Sequence, residues 1–173
     1  FLLRRSLGRL FGIFYWSSVE LFLWGVLTVY LNKASSAPFN FVTLFLGALI
    51  FWNFFIRVQQ GISTSFLEDV WSRNLANVFA TPIRTAELLA GLALASILQT
   101  VLSLGFMALL AWLFLAFDIF QYGLALVPYI GVLFMFGWSL GILASALILR
   151  FGPAAEILAW SLPFLFQPFS AVF

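Results

Sequence analysis

The chain of 173 residues contains no cysteine and no histidine, and its only lysine is Lys33. Without cysteine there is neither a disulfide nor a thiolate for catalysis or metal binding. Without histidine the commonest general base and the commonest metal ligand are both missing. Charge is scarce too: 8% of residues are charged, against about 25% in soluble domains. A formal net charge of +2 is too small for a nucleic-acid binder. No Gly-x-x-x-x-Gly-Lys-Ser/Thr occurs, so the chain has no P-loop to cradle ATP phosphates. Neither a Gly-x-Ser-x-Gly nucleophile turn nor a zinc-binding His-Glu-x-x-His is present. The sequence therefore argues against an enzyme and against any cofactor bound by this chain.

What is present is apolar: 64% of residues are hydrophobic, and 23 are phenylalanine. A soluble core cannot absorb that much apolar surface. Five apolar runs stand out, at residues 10–31, 39–56, 88–117, 124–149 and 157–173. A span needs about 20 residues, so each run predicts a transmembrane helix. Turn formers separate them: "NKASSAP" (32–38), "DIFQYG" (118–123) and "RFGPA" (150–154). The expected fold is all-α, one polytopic membrane domain with a polar segment at 57–87. The chain begins with Phe1 rather than Met and ends inside an apolar run, so a protein extending beyond both ends is expected.

Arg4, Arg5, Arg9, Arg57, Arg73, Arg84 and Arg150 fall on one side of this arrangement, and Lys33 alone on the other. The positive-inside rule then makes the N-terminus and the 57–87 segment cytoplasmic. The opening "FLLRRSLGRLFG" is suited to lie along the membrane surface before the chain turns in.

The polar segment "TSFLEDVWSRNLANVFATPIR" (64–84) interrupts an otherwise lipid-like chain. Ser65 and Glu68 have capping-box spacing, which predicts a helix beginning there, with Gly61 ending the second span before it. On a helical wheel Phe66, Leu67, Val70, Trp71, Leu75 and Val78 share one side, and Glu68, Asp69, Ser72, Arg73 and Ala76 the other. Asp69 and Arg73 are spaced to pair, for about 0.2–0.5 kcal/mol. Asn74 is the misfit on the apolar side. Thr81 before Pro82 predicts the helix end and the next helix start, with Thr81 as N-cap. Two readings of this amphipathic helix stand: it rests on the bilayer surface, or it docks a cytoplasmic partner.

"GISTSFLEDVWSRNLANVFATPIRTAELLAG" resembles the connection between the second and third spans of ABC-2 type transporter permeases. Gly61, Ser65-Phe66-Leu67-Glu68-Asp69, Trp71-Ser72-Arg73-Asn74, Pro82-Ile83-Arg84 and Glu87 follow that family's order. "YWSSVELFLWG" (15–25) resembles the family's first span, although Ser17 stands where Pro is often found. "FQPFSAVF" (166–173) resembles the start of its outer segment after the fifth span. The resemblance implies six spans, of which five are visible, and a coupling helix that docks an ATP-binding subunit. The residues it assigns to coupling are Ser65, Phe66, Glu68, Asp69, Val70, Trp71, Arg73 and Asn74. It implies two copies of the permease with two copies of the ATPase, and ATP with magnesium held by those partner subunits. It further implies alternating-access export of a drug-like, lipid-like or glycan substrate across a bacterial plasma (inner) membrane.

Few polar groups lie within the spans. Glu20 is ten residues into the first run, about 15 Å deep. A carboxylate at such depth costs about 2.5–3.5 kcal/mol on insertion scales, so it should face protein or water, or be protonated. It is either a pathway or proton-coupling residue, or a packing contact. Asn53 and Gln99 suit interhelical hydrogen bonds better than substrate contacts. Glu156 reads as an interfacial charge near Arg150. Gly137, Gly141 and Ser145 form a small-residue stripe that admits another helix. Tyr15, Trp16, Tyr30, Trp112, Tyr122 and Trp160 lie near predicted span ends, as aromatic belts do. Pro163 and Pro168 predict a bent or broken fifth span. Besides the ATP-driven permease, two other functions fit: a proton-coupled secondary transporter using Glu20, and a membrane assembly factor that transports nothing.

Overall fold

The protein is described by a computed structural model covering residues 7–34 and 41–169. Residues 1–6, 35–40 and 170–173 lie outside the described residues, and with them Arg4, Arg5, most of the "NKASSAP" turn and the end of "FQPFSAVF". Every element is helical: α1 (Leu7–Ala34), α2 (Phe41–Trp71), α3 (Leu75–Ala80), α4 (Thr85–Leu115), α5 (Leu126–Phe151) and α6 (Glu156–Leu165). Short 3₁₀ turns at Ile119–Ala125, Pro153–Ala155 and Gln167–Phe169 connect or end them. No strand occurs among the described residues.

Four stretches are long and apolar enough to cross a membrane: Phe14–Lys33, Phe45–Trp71, Thr85–Leu115 and Ile119–Phe151. This fits an integral membrane protein. The faces they leave exposed are apolar, for example Leu94, Leu98, Val101, Leu109 and Trp112 on α4 and Val127, Val132 and Met135 on α5. Contiguous apolar surface of this extent suits lipid, not water. The second stretch is the best covered, with 67% of its most apolar window buried. The expected fifth span takes another form. Its described part holds the ten-residue α6, too short to cross; Pro163 lies inside it, and the helix stops at Leu165, before the turn at Gln167–Phe169.

The chain forms two compact units. One gathers the described residues up to Phe54 with Leu102–Leu126. In it, Phe14 meets Phe106 with ring centroids 4.6 Å apart, Phe22 meets Phe114 at 5.1 Å, and Gly25 lies against Leu115. Both sides of these pairs rise together along the chain, so α1 and this part of α4 run the same way. Asp118 caps the following turn by accepting from the Phe120 N–H at 2.9 Å. Tyr122 packs between Phe51 and Phe117, over Gly47.

The other unit gathers Phe55–Val101 with the residues from Val127 to the end of the described chain. Here Phe55 stacks on Phe136 at 5.3 Å, Val58 and Gln59 meet Gly137, and Ile62 meets Gly141. These contacts also rise together, so α2 and α5 are parallel in this unit.

Candidate functional site

The second unit contains both the polar segment and the helix faces that hold it. The α2 helix does not end near Gly61. It continues unbroken to Trp71, and the expected helix start at Ser65 is corrected. The Ser65 hydroxyl donates to the Gly61 carbonyl at 2.7 Å, one turn back; Thr64 donates likewise to Gln60, and Ser63 to Gln59 at 3.2 Å. Such back-bonding keeps hydroxyl residues inside a helix. Gly61 is a close-packing position: a Cβ there would lie 2.9 Å from the Ser96 Cα.

The helix ends in a Schellman turn. Arg73 adopts a left-handed φ of 54°. Its N–H donates to the Val70 carbonyl at 3.1 Å, and the Asn74 N–H donates to Asp69 at 2.9 Å, the pair of bonds that closes such an end. Because Arg73 has left the helix, it is not at helical spacing from Asp69. The Asp69 carboxylate instead accepts from Asn74 Nδ2 at 3.2 Å, and Asn74 Oδ1 accepts from Asn77 Nδ2 at 3.1 Å. The misfit Asn74 is therefore the joint between α2 and α3, and the expected Asp69–Arg73 pair gives way to it.

Thr81 is extended, with φ −83° and ψ 148°, and closes α3 before Pro82. The next helix starts at Thr85, not at Thr81. Its cap is half of a capping box: Glu87 Oε2 accepts from the Arg84 N–H at 3.0 Å. We call residues 66–87 the elbow.

Its two sides differ. Phe66 and Leu67 are 4% and 0% exposed and pack with Ala144, Ile148, Ala155 and Ala159, with Val70 and Leu75 against the same cluster. Phe66 is thus committed to the chain's own core. Trp71 and Ile83 stand about half exposed, at 52% and 50%. Around them Ser72, Arg73, Arg84 and Glu87 are exposed, while Glu68 and Asp69 are half-buried. The elbow is a rigidly rooted surface that presents one tryptophan, one isoleucine and charges of both signs.

Behind the elbow runs a buried polar seam. Gln59 is 0% exposed; its Nε2 donates to the Ala159 carbonyl at 3.0 Å and to Ser63 Oγ at 3.3 Å. The Ser96 hydroxyl donates to the Val58 carbonyl at 2.9 Å. Gly137, Gly141 and Ser145 lie on the buried face of α5. A Cβ at Gly137 would come within 2.7 Å of Val58, and one at Gly141 within 2.9 Å of the Gln59 carbonyl. Sequence reasoning passed over Gln59. Its only local signal was an adjacent pair of glutamines in an apolar helix, and its partner is 100 residues away.

The remaining polar candidates are scattered. Asn53 is buried and donates to the Leu49 carbonyl of its own helix at 3.3 Å. Glu20 is half-buried on α1 and Gln99 half-buried on α4; Glu20 and Asn53 belong to one unit and Gln99 to the other. Among the described residues no group of His, Cys, Asp or Glu could hold a metal ion. No family model, curated protein or solved structure matches the chain, so the likeness to ABC-2 permeases rests on the quoted residues alone.

Proposed function

We propose that this chain is the membrane-spanning permease subunit of an ATP-driven ABC-2 exporter, and that the elbow is where a separate ATP-binding subunit docks. The observation that carries the reading is the elbow itself. Its inner side, Phe66 and Leu67, is locked into the core beside α5 and α6, while Trp71, Ile83, Arg73 and Arg84 face outward. A surface that only rested on lipid would gain little from exposed charges of both signs beside a half-exposed tryptophan. A protein partner uses both: the aromatic as a binding anchor, the charges to set register.

In this reading the elbow is cytoplasmic, on the side that carries seven of the eight basic residues. A fifth span includes α6, and a sixth follows. Two copies of the chain pair with two ATPases, which hold ATP and magnesium. ATP-driven closure of the ATPases moves the elbows, and the rooted α2 carries that movement into the spans. The substrate is drug-like, lipid-like or a glycan, exported from a bacterial cytoplasm.

The test is crosslinking. Single cysteines at the outward positions Trp71, Arg73, Ile83 and Arg84, in a chain with no cysteine of its own, should trap the ATP-binding subunit when the complex is isolated from the native membrane. Crosslinks exclusively to lipid or to the permease itself would make the elbow a surface anchor and overturn the docking assignment.

A further inference from the structure

Pro163 sits inside α6 and has no N–H. In an unbroken helix that N–H would bond to the carbonyl four residues back, which is that of Ala159. In a bilayer an orphaned carbonyl costs several kcal/mol, and proline is tolerated in such helices where a neighbour resupplies the bond. Here the neighbour is Gln59: its Nε2 donates to the Ala159 carbonyl at 3.0 Å. The orientation of the amide follows from this acceptor, because the flipped amide would set oxygen against oxygen. Gln59 Oε1 is buried without a partner, a cost that a leucine at this position would avoid. The donated bond is what a glutamine adds.

A second tie reaches the chain beyond the break. Phe166 packs edge-on against Phe136 at 5.1 Å, and Phe136 stacks on Phe55, one turn before Gln59 on α2. The turn before Pro163 is therefore held to α2 directly by an amide, and the segment after it indirectly by an aromatic stack.

We propose that Gln59 is a latch: its side chain stands in for the proline's missing N–H and fastens the break in α6 to the helix that ends in the elbow. Releasing the bond leaves the Ala159 carbonyl unpaired and loosens α6 at the break. The latch is built wholly from contacts within the chain, so it holds whether or not an ATPase binds the elbow. If the exporter reading also holds, the latch is the route by which a tilt of α2 reaches α6.

The test is a double-mutant cycle in the purified full chain. Pro163→Ala restores the helix's own donor. Gln59→Leu should lower the melting midpoint in detergent and increase the mobility of a spin label at position 165. The same substitution in the Pro163→Ala background should lose most of both effects. Equal loss in the two backgrounds would show that Gln59 acts through something other than the proline break, and would overturn the proposal. Should Gln59→Leu fail to assemble, the double variant decides: recovery of assembly by Pro163→Ala supports the latch, and no recovery refutes it. Transport and ATPase assays play no part in this reading, so its failure is distinct from failure of the docking assignment.

Discussion

The Ser96 hydroxyl donates to the Val58 carbonyl at 2.9 Å, directly beside a glycine, Gly61, whose missing side chain makes room for the approach. A Cβ at Gly61 would stand 2.8 Å from the Ser96 Cβ and 2.9 Å from its Cα, and a backbone atom cannot swing aside as a side-chain tip can. Gly61→Ala must therefore push α2 and α4 apart at this crossing. The expected cost is about 1–3 kcal/mol, as for other overpacked interiors. Ser96→Ala removes only an interhelical hydrogen bond, about 0.6 kcal/mol in a membrane protein. Thermal unfolding in detergent checks the order. A Gly61→Ala variant as stable as Ser96→Ala would show that the crossing is not tight.

Arg73 closes α2 in a left-handed conformation that costs a non-glycine residue about 1–2 kcal/mol. Arg73→Gly removes that strain and should leave the chain as stable or more so. Arg73→Val should destabilise it, because a β-branched residue tolerates positive φ poorly. If the guanidinium serves a partner, Arg73→Gly will bind the ATPase more weakly despite its stability. Measuring melting and ATPase retention together separates the two roles of one residue.

The long apolar runs made three of the four candidate crossings legible: 10–31, 88–117 and 124–149 fall within a few residues of α1, α4 and α5. The second helix, Phe41–Trp71, continues well past the apolar run at 39–56, because polar residues do not end a helix that satisfies them internally. Ser63, Thr64 and Ser65 satisfy their hydroxyls within the helix, and Ser-x-x-Glu looks the same inside a helix as at its start. What decides is the burial of Phe66 and Leu67 against Ala144 and Ile148, which no local pattern reveals. The true end was hidden because an arginine occupies the place where glycine usually announces a Schellman turn. Gln59 was hidden for the same non-local reason: its partner carbonyl belongs to a helix at the other end of the chain.

Glu20 separates the exporter from the proton-coupled alternative. It is half-buried on α1, and among the described residues it belongs to no group of His, Cys, Asp or Glu that could hold a metal ion. Glu20→Gln keeps the shape and hydrogen-bonding capacity and should preserve assembly and transport. Glu20→Lys puts a different charge within the span, at about 2.5–3.5 kcal/mol for a lysine at mid-membrane on insertion scales, and should reduce the amount of assembled protein. If Glu20→Gln assembles normally but abolishes transport, the packing reading is wrong and a coupling or substrate role for Glu20 gains.

Phe66 and Trp71 lie on one helix end with opposite fates, and that contrast yields the sharpest check on the elbow. Phe66 is 4% exposed within the cluster of Leu67, Ala144, Ile148, Ala155 and Ala159. Phe66→Ala leaves a cavity there, and large aromatic truncations of this kind cost about 3–5 kcal/mol. The variant should fold poorly, and its loss of function should follow its loss of assembled protein. Trp71 is 52% exposed at the last turn of α2, where truncation removes few internal contacts. Trp71→Ala should melt close to the parent. Its effect should instead appear on the partner: an anchoring aromatic at an interface centre is worth about 2 kcal/mol or more, which is a roughly 30-fold loss of affinity for the ATP-binding subunit. Co-purification at graded ATPase concentrations measures this directly. A Trp71→Ala variant that melts normally and still retains the ATPase at parent levels would remove the tryptophan from the docking surface. A variant that melts far below the parent would show that Trp71 serves the fold, as Phe66 does.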